Sequence, residues 1–311
     1  MKAKLSHNIS IIMLLIITAV TLCVLPLKYI KQETIYVYTQ TNNISSQESA
    51  FIESLRKNRY KVVVNNYKQL KADDVSIWFS DINSIKNIKN KIPQKYCFIY
   101  DENYYPIQLE ELEEYPIVLT PYKDLYEHYT RSNIRSALFY LGENLKDFSY
   151  NNINNRKDIT YYEIKNRDSY LSEFIKKNDK ITVLNKNNIP VSASEKNINK
   201  LYNKTLQQSL ITIVDNIQNN KLIPREIIQA TLSGSLVLTP YNETVYNIYK
   251  DSILYFTSIH EIEYIIINYS KKQSEIQSRA IKANQISLKE FSSDASAKRF
   301  IELLNWLKLN N

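Results

Sequence analysis

The chain has 311 residues, 40 Lys and Arg against 32 Asp and Glu for a net charge of +8, and only two glycines, Gly142 and Gly234. Average usage would give roughly twenty glycines, so a G-x-G-x-x-G fingerprint and a Walker A loop, which need glycine to bring backbone onto phosphate, are excluded. No dense Lys/Arg block marks a nucleic-acid partner, and neither Cys23 nor Cys97 has the spacing of a disulfide framework or zinc site.

Residues 9–27 carry no charge and are flanked by Lys2, Lys4, Lys28 and Lys31. At 1.5 Å per residue this run covers about 28 Å, close to one bilayer core. No small-residue exit of the A-x-A type follows it, which favours a single-pass membrane anchor at 1–31 over a cleaved signal peptide. The lysines are balanced across the segment and leave its orientation open. The remaining residues, about 280, are enough for two lobes, 32–150 and 151–311.

In the first lobe, the β-branched and aromatic run at 34–39 reads as a buried strand. Ser45 to Glu48 then opens a helix to about residue 58, with an N-cap, an acidic first turn, and Phe51, Ile52 and Leu55 on one face. Further strands are expected at 60–64, 75–79, 96–100, 117–120 and 134–141, with a helix at 122–131. The polar stretch 151–158 reads as a linker. After it the alternation restarts: strands at 159–164, 180–184, 210–214, 235–239 and 253–256, helices at 168–177, 198–206 and 224–232, and a final amphipathic helix at 297–309. Gly234 is placed to stop the 224–232 helix in the left-handed region. Strands alternating with helices predict an α/β fold of two Rossmann-like lobes with parallel sheets, and a ligand in such a fold lies at the carboxyl ends of the strands.

The stretch 223–256 carries the most chemical information. A helix start bearing Arg225 suits an anion, because unpaired N–H groups, the helix dipole and a guanidinium act together. The loop at 240–243 follows the next strand and would hang over the crevice. The competing reading is an ordinary helix–strand unit with Arg225 solvated on its surface. His7, His128 and His260 stand apart from one another and read as surface or packing residues, and the acidic run 110–114 as a solvated helix end.

The word order of this stretch resembles the donor-binding half of the group 1 glycosyltransferases, in particular the branch named after spore-maturation proteins, which reads roughly P-R-x-x-E-A-x-A-x-G followed by a strand and an acidic loop. Pro224-Arg225, Gln229-Ala230 and Ser233-Gly234 stand for the first part, and Asn242-Glu243 with Asp251-Ser252-Ile253 for the loop and the following strand. Asp101, in Tyr100-Asp101-Glu102, resembles the acidic turn of the acceptor lobe, and Arg167 the arginine that opens the first helix of the donor lobe. The resemblance implies a GT-B-like fold and transfer of a sugar from a nucleotide-diphosphate donor to a glycan or lipid-linked acceptor, with no cofactor and no metal. It implies donor-site roles for Arg167 and Arg225 on the diphosphate, Gln229 on the ribose, Glu243 on the sugar, and Glu226 and Gly234 beside them. Two departures carry expectations of their own. Gln229 replaces a carboxylate, and one extra residue between Arg225 and Gln229 would turn Arg225 by about 100°, setting Glu226 in its place. A non-catalytic protein of the same fold and a two-lobed extracytoplasmic ligand-binding protein are the alternatives.

Overall fold

The computed structural model describes residues 32–310 apart from 40–43, 67–69, 72–73, 80–95, 103–116, 151–155, 164–170, 172–173, 176, 185–193, 216–221 and 270. The apolar segment 9–27 lies outside the described residues; among those described, no helix is long and apolar enough to cross a membrane.

The first lobe holds β1 (Thr34–Thr39), α1 (Ser46–Lys57), β2 (Lys61–Val64), β3 (Val75–Phe79), β4 (Tyr96–Tyr100), β5 (Ile117–Thr120), α2 (Lys123–Arg131) and β6 (Ser136–Leu138). Its sheet has the order β2-β1-β3-β4-β5-β6, and every pair is parallel. The second lobe holds β7 (Asp158–Tyr162), β8 (Ile181–Leu184), α3 (Glu195–Gln208), β9 (Ser209–Val214), α4 (Arg225–Leu232), β10 (Leu236–Pro240), α5 (Glu243–Tyr249) and β11 (Leu254–Phe256). This sheet is also parallel throughout, in the order β11-β10-β9-β7-β8. Both sheets therefore reverse direction of build once, between β1 and β3 and between β7 and β9. In a doubly wound sheet such a reversal opens a crevice at the strand carboxyl ends. Helices α6 (Ile259–Tyr269), α7 (Gln273–Phe291) and α8 (Ser293–Asn310) close the chain.

The strands form where the sequence gives unbroken apolar runs, because a parallel sheet covered on both faces buries both sides of each strand. Strands β3, β4 and β5 are buried at every position. Helix α1 starts at a complete capping box: the Ser45 hydroxyl accepts from Glu48 N at 3.2 Å, and the Glu48 carboxylate accepts from Ser45 N at 2.8 Å. Its apolar face packs Phe51 edge-on against Phe79, Phe139 and Phe300. Phe300, Leu304 and Leu307 belong to α8, so the last helix follows the second lobe in sequence but is built into the core of the first. On the other face of that sheet Tyr38 stacks on Trp78 at 4.0 Å.

Three local expectations shift. The strand expected at 134–141 is paired only over Ser136–Leu138, since the chain then leaves the sheet to cross between lobes. Pro224 caps α4 rather than beginning it. The loop expected at 240–243 instead opens a helix, because Asn242 accepts from Val245 N at 3.1 Å and caps α5. The helix expected at 168–177 and the linker at 151–158 fall largely outside the described residues.

Gly142 lies where the crossing segment meets the α7–α8 junction. A Cβ there would stand 2.2 Å from Ser292 O and 2.7 Å from Ser293 N, both main-chain atoms. Gly142→Ala is accordingly expected to lower stability by at least about 2 kcal/mol in urea denaturation. A loss under 0.5 kcal/mol (well below the usual ~1–3 kcal/mol of overpacking) would mean that this contact is readily relieved.

Candidate functional site: the interlobe cleft

Helix α4 begins at the carboxyl end of the second sheet, beside the reversal between β7 and β9. Arg225 and Gln229 are four residues apart and share one face of it. That face meets the crossing segment, where Glu143 follows Gly142. The Glu143 main chain is fixed by Glu143 N donating to Phe291 O at 2.8 Å and Ser293 N donating to Glu143 O at 3.0 Å. Its carboxylate is 2% exposed. It accepts from Arg225 Nε in a very short contact and from Arg225 Nη2 at 3.2 Å. It also accepts from Gln229 Nε2 at 3.4 Å and from Gln47 Nε2, on α1, at 3.0 Å.

The network continues on both sides. Tyr162, the last residue of β7, donates its hydroxyl to Gln229 Oε1 at 2.8 Å. Gln47 Nε2 also donates to Leu141 O at 3.1 Å. Glu195, in the first turn of α3, lies 3.7 Å from Arg225 Nη2 and accepts from Ser46 N, across the lobes, at 3.0 Å. The first turn of α1 is thus tied to the first turns of α3 and α4 through charges and amides.

Burial pushes the Glu143 carboxyl above the ordinary carboxylate range, although the guanidinium bonded to it pulls the other way. Burial also weakens the Arg225 cation, but its paired carboxylate more than offsets this, and the guanidinium is held firmly charged. Glu102, just past β4, keeps an exposed surface, but partial desolvation by the atoms around it, with Glu48 and Glu143 nearby, raises its pKa against the opposing pull of Arg225. Arg225 is therefore surrounded by carboxylates. An incoming anion meets a cation that is already engaged.

The residues singled out from sequence fare differently. Arg225 and Gln229 are brought together. The extra residue between them does not remove Arg225 from the cleft, and Glu226 lies instead beside the Tyr162–Tyr202 ring pair, adding to the burial that raises both phenols. Gly234 ends α4 at φ 82°. There its missing Cβ leaves room for the Tyr150 ring and for Arg156, which donates to Ser233 O at 2.6 Å. It is at the opposite end of the helix from Arg225. Asp101 is 2% exposed and accepts from Tyr129 at 2.8 Å inside the first lobe. Glu243 is exposed in the first turn of α5. Arg167 lies outside the described residues. Sequence reasoning missed Glu143, Gln47, Tyr162 and Glu195. The available signal was Gly142, one of two glycines in the chain, directly before Glu143.

No protein-family model matches the sequence, and no curated protein matches it either. The fold is similar to solved glycosyltransferase structures. HepE from Anabaena, in complex with UDP-glucose, aligns at a TM-score of 0.57 with 10% identity over 88% of this chain and 99% of that one. Sucrose-phosphate synthase from Thermosynechococcus elongatus aligns at 0.55 with 10% identity, over 90% and 100%. A glycosyltransferase from Rickettsia africae aligns at 0.52 with 12% identity, over 90% and 100%. The chain has the two-lobed GT-B fold, in a divergent form.

Removing Arg225 strands a buried carboxylate. Since Arg225 keeps 41% of its side chain in solvent, Arg225→Leu is expected to destabilise by about 2–3 kcal/mol, below the values for fully enclosed pairs. Adding Glu143→Gln should recover most of that loss, whereas simple additivity in denaturation would show the pair to be uncoupled. The pH dependence has a definite sign. A carboxyl raised in the folded state contributes stability below its unfolded pKa and loses it as pH rises through the folded one. The wild type should therefore lose stability relative to Glu143→Gln as pH rises from the ordinary value of 4.5 through the raised one. A constant difference between pH 4 and 8 (a range chosen to span the unfolded and raised carboxyl pKa values) would contradict it.

Proposed function

We propose that the chain is a glycosyltransferase of the GT-B kind, moving a sugar from a nucleotide-diphosphate donor to a glycan or lipid-linked acceptor. The observation that carries this is the convergence of Arg225, Gln229 and Tyr162 at the strand reversal of the second sheet, facing the first turn of α1 in the other lobe. A donor placed there would exchange the anomeric C–O bond to its phosphate for one to an acceptor hydroxyl, whose proton passes to solvent, and the departing nucleoside diphosphate's growing charge needs a fixed cation. Arg225 supplies one, and Arg167 is the second expected from the sequence, so the reading calls on no metal ion. Gln229 offers a neutral amide to the ribose in place of a carboxylate. Residues 9–27 would tether the lobes to a membrane, beside a lipid-linked or surface acceptor.

On this reading Glu143 latches the cleft. Glu143 occupies the position that the diphosphate needs, and donor binding must exchange one anion for another at Arg225. A second reading is supported by the same bond: a non-catalytic protein of this fold, in which Glu143 permanently fills the anion site.

Thermal shift of the full chain in nonionic detergent with UDP-, GDP- and dTDP-glucose separates the two. A donor at a hundredfold excess over its dissociation constant stabilises by about 2.7 kcal/mol. The glycosyltransferase reading expects a shift with one of them, its loss in Arg225→Ala, and a larger shift in Glu143→Gln. No shift in either the wild type or Glu143→Gln would leave the non-catalytic reading standing.

A further inference from the structure

A second concavity lies away from the interlobe cleft, between α5 with its following turn and one face of α7. Its volume is about 450 Å³, within the range of ordinary small-molecule sites. Its charged lining is Lys250, Lys282 and Lys289 against Asp251, three cations to one anion. Lys282 and Lys289 are seven residues, or about two helical turns, apart on α7, with Gln285 and Ile286 between them, so one face of the helix presents cation, amide, apolar side chain and cation in turn. Solvated lysines on a helix face are common. Here a third lysine arrives from a different element, and the floor is apolar, formed by Ile248, Ile286 and Tyr249. Among the described residues Lys250 and Lys282 have no ion pair, and Lys289 has its half-buried neighbour Glu290 at 3.3 Å, a carboxylate also bonded to Arg299.

The wall that carries Lys250 is held in an unusual shape. Lys250 has φ 45° and ψ −126°, a conformation that suits glycine and strains a residue bearing a Cβ. The strain is retained because the turn is pinned on both sides: Ser252 Oγ donates to Tyr249 O, and Arg279 Nη1, from α7, donates to Asp251 O. The turn is thus fixed to the helix whose lysines face it across the gap.

We propose that this cavity binds the phosphate group of a phosphorylated amphiphile, with the phosphate among Lys250, Lys282 and Lys289 and the apolar part along Ile248 and Ile286. Ammonium groups from two elements match a multiply charged, compact anion, and the apolar floor adds what inorganic phosphate cannot use. The site is separate from the cleft at Arg225, and the proposal does not depend on the activity assigned there.

Calorimetric titration of the full chain in nonionic detergent tests it, with hexyl phosphate and inorganic pyrophosphate as probes. Hexyl phosphate should bind, and the doubly substituted K282Q/K289Q chain should bind it at least about tenfold more weakly, as loss of charge-assisted hydrogen bonds implies. Asp251→Asn removes the opposing charge and should tighten binding, an outcome that a misfolded variant cannot mimic. Pyrophosphate binding as tightly as hexyl phosphate would overturn the amphiphile in favour of a soluble phosphate. Binding unchanged by the lysine substitutions, or no binding of either probe, would overturn the site.

Discussion

The Glu143 carboxylate is held where the crossing segment, the first turn of α1, the start of α4 and the α7–α8 junction all meet. A charge withdrawn this far from water must be matched by a cation and by hydrogen-bond donors, or the fold loses several kcal/mol. Arg225 provides the cation, and Gln47 and Gln229 provide amides. One of these partners comes from the first lobe and two from the second, so satisfying a single side chain also fixes how the lobes approach. The main chain of Glu143 has no freedom to adjust, since it pairs with Phe291 and Ser293 on either side. The geometry of the cleft follows from that constraint.

On the proposed reading, the same bond governs what the cleft would accept. A helix start with an unengaged arginine attracts any anion; here the arginine is bonded to a carboxylate with Glu195 3.7 Å away. A ligand at such a site would have to offer more than one negative charge, or more hydrogen bonds than a single carboxylate, to displace Glu143. Selectivity for a diphosphate over a carboxylate metabolite would then come from competition within the protein rather than from the shape of an open pocket. Glu143 displaced from Arg225 would retain the amide of Gln47, a softer landing than an apolar wall.

Much of the fold was legible in the sequence because parallel sheets leave a coarse signature. Runs such as Tyr-Cys-Phe-Ile-Tyr at 96–100 are buried on both faces, and a capping residue such as Ser45 marks where a helix must begin. The helix at Arg225, its stop at Gly234 and their place in the chain were equally readable. The rest of the network around Arg225 and Glu143 was not. Gln47, Glu143, Tyr162 and Glu195 lie far from Arg225 along the chain, and none sits in a stretch whose pattern points to the cleft. An ion pair between the crossing segment and a distant helix has no periodicity to betray it. Asp101 shows the opposite error. An acidic residue after a strand looks like chemistry, but this one accepts a hydrogen bond from Tyr129 within its own lobe.

Glycine scarcity makes the two survivors informative. Positive φ alone does not demand glycine in this chain: Arg59, Asn65, Asn133 and Lys250 all adopt it. In the left-handed helical region a positive φ costs a residue with a Cβ only about 1–2 kcal/mol, and less for asparagine, which surrounding structure can offset; the Lys250 turn, with ψ −126°, lies outside it and depends on its pinning contacts. Gly142 is not at positive φ, so conformational freedom is not its role. A Cβ 2.2 Å from a main-chain oxygen cannot be accommodated by turning a side chain; the crossing segment itself would have to move away from the α7–α8 junction. Such a movement would carry Glu143 with it and lengthen its bonds to Arg225 and Gln229 together. The glycine is therefore a condition for the Glu143–Arg225 pair, and through the pair for the arrangement of the whole cleft.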